Sequence, residues 1–263
     1  MRPAAAIRSS ILALTILVAA LPGTSRAVDG GAVSSPAIPS SSKIIIGFVG
    51  GFVAHDNLHH GPVQLAQRIR SSVPKDTYVR VFENRHRKQA FDAILRLLDA
   101  DHDGVLSAAE KTRARIVLFG HSWGASAAVL LARDLRREGI SVLLTVQVDS
   151  IAKAWQNDAV IPDNVAEAVN FYQPHGILHG RPLITAADPA KTEILGNYRM
   201  DYRKDPVNCP QAAWLERVLT PGHMQSECDP HVWSQIETLV RQSVSPQPAT
   251  TAISATEPLS PAH

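Results

Sequence analysis

Residues 113–135 of the chain read RARIVLFGHSWGASAAVLLARDL. Arg115 to Phe119 is a continuous apolar run of the kind that forms a strand buried on both faces. Ala125, Ala128, Val129, Ala132 and Leu135 recur at helical spacing, and Gly139 follows as a C-cap. Between strand and helix lies Gly120-His121-Ser122-Trp123-Gly124. A chain that passes from strand to helix in so few residues turns sharply at Ser122. The residues two before and two after then crowd each other, and glycine at both removes the Cβ that would clash. Such a turn projects the serine hydroxyl above the end of the strand. The N–H of Trp123, at the helix start, faces the same space.

Outward from this segment, strand and helix alternate. Lys43 to Val49 is an apolar, β-branched run ending in Gly50-Gly51. Gly61-Pro62 opens a helix with Val63, Ala66, Ile69 and Val73 on one side. Thr77 to Phe82 alternates as a strand, and Phe91, Ile94, Leu95 and Leu98 mark a helix over 88–98. Ser141 to Val148 is another buried strand. Val165 to Tyr172 and Glu193 to Met200 supply further strands, and 231–241 a last helix. Repeated β-α-β units predict an α/β fold: a mainly parallel sheet with helices on both faces.

The serine turn in this setting resembles the α/β-hydrolase superfamily of esterases, lipases and thioesterases, over most of Lys43 to Gln242. The resemblance implies a three-layer sandwich with Ser122 as nucleophile. It implies one oxyanion donor at the Trp123 N–H and a second in Gly50-Gly51-Phe52, at the N–H of Phe52 or Gly51. His55-Asp56-Asn57 would then line the pocket mouth. A serine needs a base, and the base an orienting acid; in this superfamily the chain order is serine, acid, histidine. Beyond Ser122 stand His175, His179, His223, His231 and His263. His223 occupies a Pro221-Gly222 turn ahead of Asp229-Pro230-His231-Val232-Trp233, which resembles the histidine loop of small lipase-like and thioesterase-like hydrolases. That favours His223 over His231. Asp149, directly after the strand ending at Val148, is the favoured acid; Asp188 and Asp201 are its rivals.

A second motif carries different chemistry. Residues 99–110 read DADHDGVLSAAE. Asp99, Asp101 and Asp103 stand at positions 1, 3 and 5, Gly104 at 6, the Val105 carbonyl at 7, Ser107 at 9 and Glu110 at 12. This is the spacing of an EF-hand calcium loop. The exit helix must be short, because the RIVLF strand follows at once. No second loop of this kind occurs, so the reading is a structural calcium site.

The ends and composition set the surroundings. Residues 1–27 read as a signal peptide, with Arg2 and Arg8 before an apolar run at 11–21 and Ser25-Arg26-Ala27 as a cleavage site. Residues 28–42 read as a disordered linker, 43–242 as the hydrolase domain and 243–263 as a disordered tail. The chain is then exported to the periplasm or medium. Without the three leader arginines, 23 Lys and Arg face 24 Asp and Glu, a net charge near −1. Such a balance gives no cationic face for nucleic acid, and one short apolar run excludes several membrane spans. In an oxidising compartment the only two cysteines, Cys209 and Cys228, are expected to pair. Arg85 to Lys88 reads as a solvated helix start, His59-His60 lacks a zinc partner pattern, and Trp214 and Trp233 read as packing residues. Residues 150–165 give no sign of a long lid. The sequence therefore points to an exported serine hydrolase of small or lipid-like carboxylic esters or thioesters. Two alternatives stay open: an inactive calcium-dependent binding module on the same scaffold, and acyl transfer to an acceptor other than water.

Overall fold

The computed structural model describes residues 42–245 apart from residue 213. In chain order the elements are β1 (Ser42–Val49), α1 (Gly61–Arg70), β2 (Tyr78–Glu83), α2 (Arg87–Leu98), α3 (Ala108–Thr112), β3 (Ala114–His121), α4 (Trp123–Arg137), β4 (Val142–Val148), β5 (Val160–Ile161), β6 (Val165–Tyr172), β7 (Thr185–Ala186), β8 (Glu193–Arg199), α5 (Trp214–Leu219), α6 (Pro221–Cys228) and α7 (Pro230–Val244). A short 3-10 turn, Asn84–His86, joins β2 to α2.

Six strands form one parallel sheet in the order β2-β1-β3-β4-β6-β8. The central strands are apolar on both faces because both are covered. Ile44, Ile46, Phe48, Ile116 and Leu118 face a cluster completed by α2 and α4, and Ile45, Val117 and Phe119 one completed by α1 and α7. Alternation along β1 and β3 thus divides one apolar run between two cores. Gly47 is a packing requirement: an added Cβ there would lie 2.6 Å from the Phe119 ring. The expected architecture, a mainly parallel sheet with helices on both faces, is the one found.

Several boundaries differ from the sequence expectation. Ser42, assigned to the linker, begins β1, and α7 continues to Val244. The turn assigned to His223 is the first turn of α6, because Pro221 fits an N-terminal helical position and pre-sets its φ. Trp233 is buried, as expected of a packing residue, but Trp214 is 69% exposed on α5, a helix that sequence periodicity did not reveal. The expected leader at 1–27, residues 28–41 of the linker and the tail beyond 245 lie outside the described residues. Among the described residues no helix is long and apolar enough to cross a membrane.

Cys209 and Cys228 form a disulfide that fastens the end of α6 to the loop before α5. The loop it closes constrains the unfolded chain, so Cys209→Ser is expected to lower the unfolding free energy in urea by about 3 kcal/mol. Equal midpoints for oxidised wild type and variant would show that the link is not a stabilising one.

Candidate active site

β3 delivers His121 and the chain reverses at Ser122, whose backbone lies at φ 57°, ψ −128°, before α4 begins at Trp123. The positive φ is costly for a residue with a Cβ, and its surroundings enforce it. The Ser122 N–H donates to the Val148 carbonyl at 3.0 Å, and the Ser122 carbonyl accepts from Ala125 N at 3.0 Å. A Cβ on Gly120 would lie 2.4 Å from the Gly124 carbonyl carbon, and one on Gly124 would lie 2.3 Å from the Phe48 oxygen. Both glycines are therefore required by backbone-to-backbone contact.

β4 ends one residue before Asp149, which is fully buried at φ 42°. Its N–H donates to the Phe171 carbonyl at 2.7 Å. Asp149 Oδ1 accepts from the N–H groups of Gln173 at 3.1 Å and Gly180 at 2.6 Å, and Oδ2 from Gln173 Nε2 at 3.0 Å. His223 Nδ1 lies 2.7 Å from Asp149 Oδ2, and His223 Nε2 lies 3.0 Å from Ser122 Oγ. The structure thus brings Ser122, His223 and Asp149 into one hydrogen-bonded chain. The rivals stand elsewhere: Asp201 lies 3.4 Å from His175, Asp188 pairs with Lys191, and His231 lies in the first turn of α7.

With Nδ1–H donated to the carboxylate, Nε2 of a neutral imidazole is free to accept the serine proton. Burial lowers the proton affinity of His223; the Asp149 hydrogen bond opposes this, the charge on His121 adds to it, and the net effect is a pKa below the ordinary histidine value. The ring therefore remains a proton acceptor at lower pH than a solvated histidine.

His121, the variable residue of the Gly-x-Ser motif, belongs to a second buried chain that the sequence did not announce. Its ring meets that of His223 at a tilt of 32°, with centroids 4.6 Å apart. Its Nδ1 meets the Glu227 carboxylate, and its Nε2 lies 3.1 Å from Ser226 Oγ. Ser226 Oγ donates its one proton to the His223 carbonyl at 2.7 Å, so it can only accept from His121. Nε2 of His121 is therefore a donor, and with Glu227 ionised Nδ1 donates as well, which makes the ring an imidazolium. Burial opposes this charge, but Glu227 outweighs it and raises the His121 pKa. Burial likewise opposes ionisation of Glu227; His121 and His60 overcome it and hold the carboxyl well below the usual carboxylate range. Glu227 Oε1 also accepts from Gly61 N at 2.9 Å.

A cavity of about 330 Å³ opens over Ser122 and His223. Its polar wall includes His60, His121, Thr220 and Glu227, and its apolar wall includes Phe52, Val53, Ile151, Leu178, Leu215, Leu219 and Met224. Gly50 and Gly51 also line it, as does Trp123, whose ring meets Phe52 edge-on at 5.8 Å. His55 and Asp56 line a different hollow.

In the acidic loop, carboxylate oxygens of Asp99, Asp101 and Asp103 lie within 4.8 Å of one another. Gly104 has φ +83°, and its N–H donates to Asp99 at 3.1 Å. Asp99 Oδ1 is buried without a hydrogen-bond partner. Glu110 stands apart from this group. Its carboxylate accepts from the N–H groups of Ala100 and Ser107 at 2.7 and 2.8 Å and forms a capping box with Ser107 at the start of α3. Val105 is exposed, and the exit helix is short, as expected.

A model of the alpha/beta hydrolase family matches residues 44–261. No curated protein matches the chain. Among solved structures, a thermostable esterase from Pseudomonas putida aligns at 11% identity over 78% of this chain and 73% of its own, with a TM-score of 0.40. The thioesterase RedJ from the prodiginine pathway of Streptomyces coelicolor aligns at 12% identity over 81% and 96%, with a TM-score of 0.42.

The two imidazoles are expected to titrate in opposite directions from pH 6.5: His223 below it and His121 above it. Nitrogen-15 histidine NMR checks this, and Glu227→Gln should bring the His121 midpoint down. A His121 ring that is neutral in wild type at pH 6.5 would contradict the proton assignment.

Proposed function

Because the chain belongs to the alpha/beta hydrolase family, we propose that it is a serine hydrolase of carboxylic esters or thioesters, acting through an acyl-enzyme. The observation that carries this reading is the unbroken Ser122–His223–Asp149 chain, at 3.0 and 2.7 Å, at the floor of an apolar cavity.

The geometry supports the following steps. Ser122 Oγ attacks the acyl carbonyl while its proton passes to His223 Nε2. Asp149 holds the ring with Nε2 towards the serine and stabilises the imidazolium that forms. Charge develops on the carbonyl oxygen, where the N–H groups of Trp123 and of Phe52 or Gly51 receive it. His223 then returns its proton to the leaving alcohol or thiol. A water molecule, activated by the same imidazole, releases the acid and restores Ser122. Asp149 keeps its charge throughout, since three protein donors besides His223 already satisfy its oxygens.

The cavity supports an apolar acyl group, because Phe52, Ile151, Leu178, Leu215, Leu219 and Met224 offer it no hydrogen-bonding side chain. Esters from acetate to octanoate suit its volume better than long-chain triglycerides. Export to the periplasm or medium is part of the same reading, supported by the leader-like N-terminus and the Cys209–Cys228 link.

A structural calcium ion in the 99–110 loop completes the proposal. Asp99, Asp101 and Asp103 with the Val105 carbonyl are the hard oxygen donors it would use; Ser107 and Glu110, expected in the set, are engaged instead in the capping box of α3. The buried, unpartnered Asp99 Oδ1 and the positive φ of Gly104 fit such an ion. When bound, it would neutralise the clustered carboxylates between α2 and β3, the strand that carries the serine turn.

Three measurements test these claims. A fluorophosphonate probe is expected to label wild type and not Ser122→Ala; an unlabelled wild type would favour the non-enzymatic binding module. Running p-nitrophenyl esters of increasing chain length should place the maximum at butyrate to octanoate. Chelator is expected to lower the melting temperature of wild type but not of Asp99→Ala, and identical curves with and without chelator would remove the calcium site.

A further inference from the structure

We infer that Asn84, braced by Lys153, fixes the orientation of the oxyanion-binding turn after β1; this rests on the serine-hydrolase reading. The turn is Gly50–Val53, closed by Val53 N donating to the Gly50 carbonyl at 3.3 Å. Gly51 has φ +48°, and Phe52 is not among the residues of positive φ. In a turn of this kind the central peptide, here Gly51 C=O with Phe52 N–H, has two orientations related by a flip of that one unit. One presents an N–H to a neighbouring group, and the other presents a carbonyl oxygen to it.

Asn84 selects between them. Its side chain is buried, and Nδ2 donates to the Gly51 carbonyl at 2.6 Å and to the Val49 carbonyl at 3.3 Å. The peptide is trans, so its N–H points opposite to its carbonyl. In the sheet order β2-β1-β3, Asn84 follows β2 and Ser122 follows β3, on opposite flanks of β1. The turn itself lies against the serine, since a Cβ on Gly50 would stand 2.8 Å from Ser122 Cβ. A Gly51 carbonyl drawn towards Asn84 therefore turns the Phe52 N–H to the Ser122 side.

Lys153 fixes which way the Asn84 amide faces. Its ammonium donates to Asn84 Oδ1 at 2.7 Å and lies 4.9 Å over the Trp123 ring. With the oxygen held by a cation, only the NH₂ end can meet the two carbonyls. Flipping the amide would set oxygen against oxygen on one side and ammonium against NH₂ on the other. Asn84 is thus a positioning residue: it acts on the oxyanion through the turn and makes no contact with substrate. Lys153 positions Asn84 in turn.

The test compares wild type, Asn84→Leu and Lys153→Met, using p-nitrophenyl butyrate and a trifluoromethyl ketone of matching chain length. The ketone's adduct with Ser122 carries the tetrahedral oxyanion, so its affinity reads the hole and not merely the fold. Loss of a whole oxyanion donor costs about 10²–10³ in kcat, so Asn84→Leu should lose about 10- to 100-fold in kcat with KM nearly unchanged. Ketone affinity should fall in parallel with kcat/KM, and Lys153→Met should show a smaller loss in the same direction. If Asn84→Leu does not fold, Lys153→Met decides. Unchanged ketone affinity in the folded variants, against a wild type that reacts with fluorophosphonate, overturns this inference alone. A wild type that does not react overturns the serine-hydrolase reading and this inference with it.

Discussion

The constraint on which the site depends is a contact between backbones. α4 starts so near the end of β1 that Gly124 has no room for a Cβ beside the Phe48 carbonyl, and Gly120 none beside Gly124. This contact forces Ser122 into its positive φ, and the strain is borne by the surrounding sheet, through the Val148 carbonyl on one side and the first turn of α4 on the other. A serine relaxed to an ordinary φ would lose both its aim and the helix start that presents Trp123. Stability and the geometry of the site thus meet at the same five residues. The two apolar cores serve that end: burial of β1 and β3 on both faces keeps the strands from yielding where the turn pushes against them.

Electrostatics divide the site into two buried chains with opposite proton economies. In Ser122–His223–Asp149 the imidazole is poised neutral, because burial depresses its proton affinity more than the carboxylate restores it. In Glu227–His121–Ser226 the imidazole is held charged, because Glu227 outweighs burial. The ring centroids lie only 4.6 Å apart, so the charge on one discourages protonation of the other. Glu227 keeps the arrangement from becoming an uncompensated buried cation, and its contacts to Gly61 N and His60 satisfy the rest of its valence.

What the sequence made legible follows from range. The serine turn, the β1 and β3 strands and the α1, α2 and α4 helices were readable because each is specified by local spacing: alternation, helical period, or glycine at a fixed offset. Ser122, Asp149 and His223 could be named because the family resemblance implies a serine–acid–histidine order and a histidine loop, and a strand end marks Asp149. The partners that hold them could not. Gln173 and Gly180 reach Asp149 only because β6 pairs with β4 and the chain then doubles back, and Asn84 reaches Gly51 only because β2 neighbours β1. Nothing in a glycine at 180 announces that its N–H meets a carboxylate, or that a side chain there would strike it. α5 was missed for a related reason: its apolar residues Trp214, Leu215, Val218 and Leu219 are all exposed, with Leu215 and Leu219 lining the cavity, so no inward period marks the helix. The role of His121 appears only when Glu227 arrives from α6.

The delivery of His223 shows how a residue remote in sequence is placed without a core of its own. α6 has few buried apolar side chains; its buried positions are Gly222, His223, Ser226 and Glu227. A helix so polar cannot be located by hydrophobic burial, which is non-directional in any case. It is located instead by directional links in four directions: the disulfide at Cys228, Glu227 to the start of α1, the Glu227 carbonyl accepting from Trp233 Nε1 at 2.9 Å, and His223 itself to Asp149. Gly61 is squeezed by the same Trp233 ring, where a Cβ would stand 2.2 Å from Cε2, so the α1 start and the α6 end are registered against one indole. Hydrogen bonds fix distance and angle where apolar contact fixes only proximity. A base that must stand within a few tenths of an ångström of a serine is therefore carried on the element whose neighbours are bonded rather than merely packed.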